Sequence, residues 1–245
     1  MSEAPARAAM PLFFKRIVGV NPTTHPDLKL DRTTGFGFAA TAQSVPLGLS
    51  ELEIAAQHFP ILFTTGPDPM PVALMGLKEG SNLFVSASGA WLMDSYVPAY
   101  VRAFPFIFVE DPLAKTLYVG MEPEAAALHT GRGVPMFEDG RPTAALNEAI
   151  AFCSAYREAV VAAGTFARAL NAAGLLEEEE ATVNFTGGGA ARIRGFKLVK
   201  PERFAELEDA TFLDWRRMGW VSAIYAHLYS SGRWGRLIEL AAPRQ

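Results

Sequence analysis

Apolar runs paired across short, turn-rich linkers set the strongest limit on what this chain can build. "PILFTT" and "PVALMGL" flank "GPDPM", and "FPFIFVE" and "TLYVGM" flank "DPLAK". Strand-length apolar runs around a Gly, Pro and Asp cluster form antiparallel hairpins. "LFVSASG", after the turn "KEGSN", predicts a further strand and hence a meander, and "VPMFEDGRPT" predicts a smaller hairpin turning at Asp139–Gly140. The second half changes period. From Thr143 to Gly174, apolar residues at Leu146, Ile150, Cys153, Val160, Ala167 and Leu170 follow helical spacing. Thr143 is suited to capping the start of this helix and Gly174 its end. Strands first and helices later, with no regular βαβ alternation, predict an α+β fold. Antiparallel hairpins of the first half are expected to pack against helices supplied mainly by the second. The chain has 245 residues and is expected to form one domain over 11–245, preceded by a flexible tail over 1–10.

Local signals refine this outline. In "VPLGLSELEIAAQHFP" Ser50 and Glu53 have the spacing of a capping box, and Pro60 marks the far end. The acidic run Glu177–Glu180 falls beyond the long helix, because four carboxylates in a last turn oppose the macrodipole. It reads as a solvated face. "TGGG" lacks the spacing of a phosphate loop and reads as a flexible turn before the strand "RIRGFKLV". Pro201 opens a short helix, where proline is tolerated. Asp209 is placed to cap one last long helix, with Phe212, Trp215, Trp220, Ile224 and Leu228 as its inward stripe and Gly232 at its end.

Composition excludes several function classes. Net charge is −4, the wrong sign for a dominant grip on nucleic acid. The lone Cys153 has no partner for a disulfide or a structural zinc site, and its helical apolar setting makes it a small buried hydrophobe. No apolar stretch is long enough to span a bilayer. The N-terminus has no convincing export signal, so a cytoplasmic location is expected and the "NFT" sequon at 184–186 carries no weight. The four histidines, His25, His58, His129 and His227, show no paired metal-ligand spacing, and no GxSxG elbow is present. His227 reads as a hydrogen-bonded core histidine. No metal site and no cofactor is assigned.

The candidate ligand or partner residues are Asn21, His25, Trp91, Asp94, Tyr96, Tyr100 and Arg102. His25 sits on the turn "NPTTHPDL", held between two prolines, and loops carry function more often than cores do. In "GAWLMDSYVPAYVRAFPFIF" Val97 and Pro98 are placed to start a short helix over 98–103, and Phe104, before proline, to end it. Tyr96, Tyr100 and Phe104 then fall near i,i+4 spacing, with Arg102 directed elsewhere. Two readings follow: an aromatic pocket with an arginine anchor for an anionic ligand, or an aromatic core corner with Arg102 paired to an acidic neighbour or lying along an apolar surface.

At this stretch the chain resembles the SapC-like family. The resemblance rests on Trp91 followed by "YVPAYVRAFPF", supported by "NPTTHPDLKL", "VPLGLSELEIAAQHFPILF", "RIRGFKLVKPERFAEL" and "MGWVSAIYAHLYSSGRWGRL". It covers about Phe13 to Leu237. Where the family carries an "RRYPF" pattern this chain has "RAFPF", so a paired-arginine site there loses one arginine. The resemblance implies a soluble bacterial accessory protein tied to surface-layer protein export or to TonB-dependent receptor uptake, with a surface-layer or receptor-system component as protein partner. A small-molecule or peptide ligand is compatible with it; nucleic acid and a membrane span are not expected. The alternative is an oxidative or peptide- or amino-acid-modifying enzyme working with halogenase-like or cupin-like partners.

Overall fold

The computed structural model describes residues 10–111, 114, 116–184 and 190–242. The expected tail apart from Met10, the "TGGG" turn and most of the "DPLAK" linker lie outside the described residues. The strands are β1 (Val18–Gly19), β2 (Lys29–Leu30), β3 (Ser44–Pro46), β4 (Ile61–Thr64), β5 (Pro71–Leu74), β6 (Phe106–Glu110), β7 (Leu117–Met121), β8 (Val134–Pro135), β9 (Phe137–Glu138), β10 (Arg141–Pro142), β11 (Leu176–Asn184) and β12 (Ala190–Val199). The helices are α1 (Leu52–Ala55), α2 (Ala99–Ala103), α3 (Ala144–Ala172), α4 (Pro201–Ala205), α5 (Asp209–Arg217), α6 (Trp220–Ser230) and α7 (Trp234–Ala241). The fold is α+β, with all strand pairing antiparallel.

The chain forms two compact units. One comprises Met1–Thr34 and Ala103–Cys153, the other Gly35–Arg102 and Ser154–Gln245. The first holds a three-stranded sheet in the order β1-β7-β6 and two small ladders, β2-β8 and β9-β10. The hairpin β6–β7 forms as its apolar runs predict. The β9–β10 turn carries Asp139 and Gly140, both at positive φ, the geometry of a two-residue hairpin loop. Phe106, Met121, Met136, Phe137, Leu146 and Cys153 make the core of this unit. Burial pushes the Cys153 thiol up to about 11, so it stays protonated and acts as a small hydrophobe.

The second unit is built on a five-stranded sheet in the order β11-β12-β4-β5-β3. Opposite β11, Gly195 at φ +76° accompanies a register shift between Glu179 and Ala181, a bulge that glycine accommodates without a Cβ clash. A chain of aromatic contacts runs through this unit. Phe63 meets Phe166 and His227, and Phe166 meets Trp220, which meets Trp215.

Three expectations are corrected. "LFVSASG" is not a strand: only an isolated bridge joins Val85 to Trp91, because the Asn82 side chain takes over local backbone groups, accepting from Phe84 N–H and donating to Ala39 O. Ser50 is not a cap: the turn opens at Gly48, and Glu51, not Glu53, reaches back to the Gly48 N–H at 2.8 Å. The last long helix is broken, since Gly219 at φ +75° separates α5 from α6 and Asp209 is the first helical residue. Helix also resumes past Gly232 as α7. The run Glu177–Glu180 lies beyond the long helix, as expected, on β11 with Glu178 and Glu180 exposed, and cations meet it: Lys200 pairs with Glu179 and Glu177, Arg203 with Glu177, and Arg194 with Glu180. A strand alternates its faces, and β12 and α4 bring basic residues to the run.

Candidate functional site

Glu51 is the centre of the second unit's polar cluster. It is only 5% exposed, and a buried carboxylate requires hydrogen-bond partners to hold its charge. One oxygen accepts from Gly48 N–H at 2.8 Å. The other accepts from the Tyr96 hydroxyl at 2.9 Å and from Ala99 N–H at 2.8 Å. Glu51 therefore closes the turn before α1 and the start of α2 with the same group.

Tyr96 passes the interaction outward. Its hydroxyl donates to Glu51 and accepts from Arg102 Nη2 at 2.9 Å. Arg102 Nε donates to Val97 O at 3.0 Å, and the guanidinium carbon lies 5.4 Å from the Tyr96 ring centroid. Burial and the Glu51 charge push the Tyr96 phenol up to about 12, against the opposing pull of Arg102. The phenol thus keeps its proton at neutral pH and donates it to Glu51. The result is an exposed arginine whose direction is fixed by a tyrosine and a carbonyl, with a buried carboxylate behind them.

His58 completes the cluster. Its ring is stacked against Tyr96 at 6.4 Å between centroids, 26° from parallel. Burial first, and the charge of Arg233 second, hold its imidazole below the usual histidine range. At neutral pH it is a neutral, half-buried base.

The remaining candidates divide. Trp91 is buried, donates its indole N–H to Tyr96 O at 3.1 Å, and packs on Phe84 and Phe36. Tyr100 is buried against Tyr156, and burial pushes both phenols far up. Asp94 is exposed, and among the described residues it forms no ion pair with Arg102. Asn21 and His25 belong to the first unit. There Asn21 Oδ1 accepts from Thr23 N–H at 2.7 Å, and Thr24 Oγ1 and His25 Nδ1 lie 2.9 Å apart. The fold thus joins Trp91, Tyr96 and Arg102 in one connected group.

Glu51, His58 and Arg233 were missed by sequence reasoning. Only Glu51 had a local signal, its spacing of three from Gly48, which the Ser50–Glu53 pattern obscured. His227 is the core histidine expected: Nε2 accepts from Val199 N–H at 3.0 Å, and burial holds the ring down to about 4. Among the described residues, no group of three or more His, Cys, Asp or Glu is placed to hold a metal ion, and no helix is long and apolar enough to cross a membrane.

No curated protein and no solved structure matches the chain. The SapC family model matches residues 20–237, a span that includes Glu51, His58, Tyr96, Arg102 and Arg233, and the chain belongs to the SapC family.

Proposed function

We propose that this chain is a cytoplasmic binding and assembly module, an accessory protein of surface-layer protein export or of TonB-dependent receptor uptake. The observation that carries the reading is the exposed Arg102, aimed by Val97 O and the Tyr96 hydroxyl. Arginine and tyrosine are the usual anchors of protein interfaces. An arginine already fixed by its neighbours loses less side-chain entropy when it binds. Trp91 and Tyr100 support the anchor from the core rather than touching the partner. The test is capture of surface-layer or receptor-system components by the purified chain. Wild-type protein retains a partner, and Arg102→Ala retains it about tenfold more weakly, the usual scale for an interface anchor. Equal capture by both proteins defeats the reading.

A second reading, an enzyme acting with halogenase-like or cupin-like partners on a peptide, amino acid or small acid, is favoured by one feature. A neutral imidazole lies against a phenol that is hydrogen-bonded to a carboxylate and a guanidinium, and such groups perform acid–base work. Turnover with those partners that is lost in His58→Ala, while partner capture is intact, would establish it over the first.

A further inference from the structure

Among the described residues, the most exposed sulfur stands on a turn that the fold holds in place. Met93 is 96% exposed. Met218 follows at 58% and Met10 at 47%, Met70 is half-buried, and Met75, Met121 and Met136 are buried. Met93 and Asp94 occupy the middle of a four-residue turn that runs from Leu92 to Ser95. The Ser95 N–H donates to Leu92 O at 3.1 Å, and the Ser95 hydroxyl donates to the same oxygen at 2.7 Å. The turn is pinned at both ends. Leu92 N–H donates to Phe84 O at 2.9 Å. Across the turn, the buried Trp91 donates its indole N–H to Tyr96 O at 3.1 Å.

These bonds fix the backbone on which Met93 stands, so its thioether is held in water rather than drawn into the core. A thioether reacts with peroxides, and access decides which one reacts first. The chain's cysteine does not compete. Cys153 is 3% exposed, and burial pushes its thiol up to about 11, which withholds the thiolate that a peroxide would oxidise. Hydrogen peroxide is uncharged, so neither the acidic net charge of the chain nor the neighbouring Asp94 holds it off.

We propose that Met93 is a reversible oxidation site, at which a peroxide turns the apolar tip of this turn into a polar one while the fold stays intact. The inference goes beyond the binding-module reading and does not rest on it. The Met93 sulfur attacks one oxygen of hydrogen peroxide, the O–O bond breaks and an S–O bond forms. The sulfur gives up two electrons, and the second peroxide oxygen leaves as water. In the reverse direction a dithiol, acting through a methionine sulfoxide reductase, removes the oxygen as water and becomes a disulfide. At 96% exposure almost nothing packs on the Met93 side chain, so the sulfoxide costs the core nothing. Oxidation of Met75, Met121 or Met136 differs, because it puts a polar oxygen among buried apolar groups.

The test treats the full folded chain with dilute hydrogen peroxide and follows each methionine by peptide mass spectrometry. Among the described methionines the first sulfoxide is expected at Met93, forming about tenfold faster than at the three buried ones. In urea, where every methionine meets water, this preference disappears, which ties it to the fold rather than to the local sequence. The protein oxidised at Met93 keeps wild-type circular dichroism and melting and elutes earlier from a hydrophobic-interaction column. Treatment with the two epimer-specific sulfoxide reductases and dithiothreitol restores its original elution. Met93→Leu folds as wild type and lacks the early shift in elution. The proposal is overturned if Met218, Met10 or Cys153 is oxidised before Met93, or if the sulfoxide at Met93 lowers the melting midpoint. It is equally overturned if the reductases leave that sulfoxide in place, or if Met93→Leu keeps the shift.

Discussion

His227 links burial to protonation at a single side chain. Its ring is enclosed between α6 and the sheet, accepts from Val199 N–H, and leaves Nδ1 without a partner among the described residues. Its folded pKa is held to about 4, below the ordinary histidine value of 6.5. A depressed histidine pKa means that the unfolded chain binds the proton more readily. The stability contribution is therefore complete above pH 6.5 and is lost as pH falls towards 4. Each pH unit between the unfolded and folded pKa is worth about 1.4 kcal/mol, so the loss over this window is about 3 kcal/mol. Urea denaturation at pH 7 and pH 5 should show about 2 kcal/mol of this difference. His227→Gln, which keeps an acceptor for Val199 N–H, should flatten the slope. The same slope in wild type and variant would rule out His227 as its source.

Secondary-structure elements show where sequence reading succeeds and where it stops. The hairpins β4–β5 and β6–β7 were legible because each lies within one short window, with its turn residues between its apolar runs. The break between α5 and α6 was not, because apolar residues at helical spacing continue across it, and only the φ of +75° at Gly219 reveals the left-handed residue. An L-residue there costs roughly 1–2 kcal/mol. Gly219→Ala is expected to lower the midpoint of thermal unfolding accordingly, and a variant as stable as wild type would show that α5 and α6 can fuse. The site divides in the same way. Tyr96 and Arg102 lie in one dense local motif and were found. Glu51 lies 45 residues before Tyr96, and the approach of Glu51 and His58 to that motif depends on tertiary packing, which no local pattern encodes.

At the scale of the whole molecule, the chain moves between the two compact units three times, after Thr34, Arg102 and Cys153. The last two passages fall inside helices α2 and α3. A helix that runs through such a passage propagates order from one turn to the next. We therefore propose that residues 11–245 unfold as one cooperative domain, although the contacts form two clusters. Calorimetry should give a single transition whose calorimetric and van't Hoff enthalpies agree. Two resolved transitions, one selectively lowered by Phe106→Ala and the other by Phe166→Ala, would contradict this.

The position of the glutamate run on β11 has a consequence for how the protein behaves in a crowded solution. β11 is an outer strand of the five-stranded sheet, and an open strand edge is a template on which other chains can stack. Glu178 and Glu180 are exposed there, so a second copy approaching edge to edge would bring carboxylates together, with Arg194 offsetting part of that charge at Glu180. We expect the run to disfavour self-association along this edge. Replacing Glu178 and Glu180 by threonine keeps strand propensity and removes those carboxylates. The variant is expected to fold yet to scatter light and bind thioflavin T at concentrations where wild type remains clear; equal clarity would place the protection elsewhere.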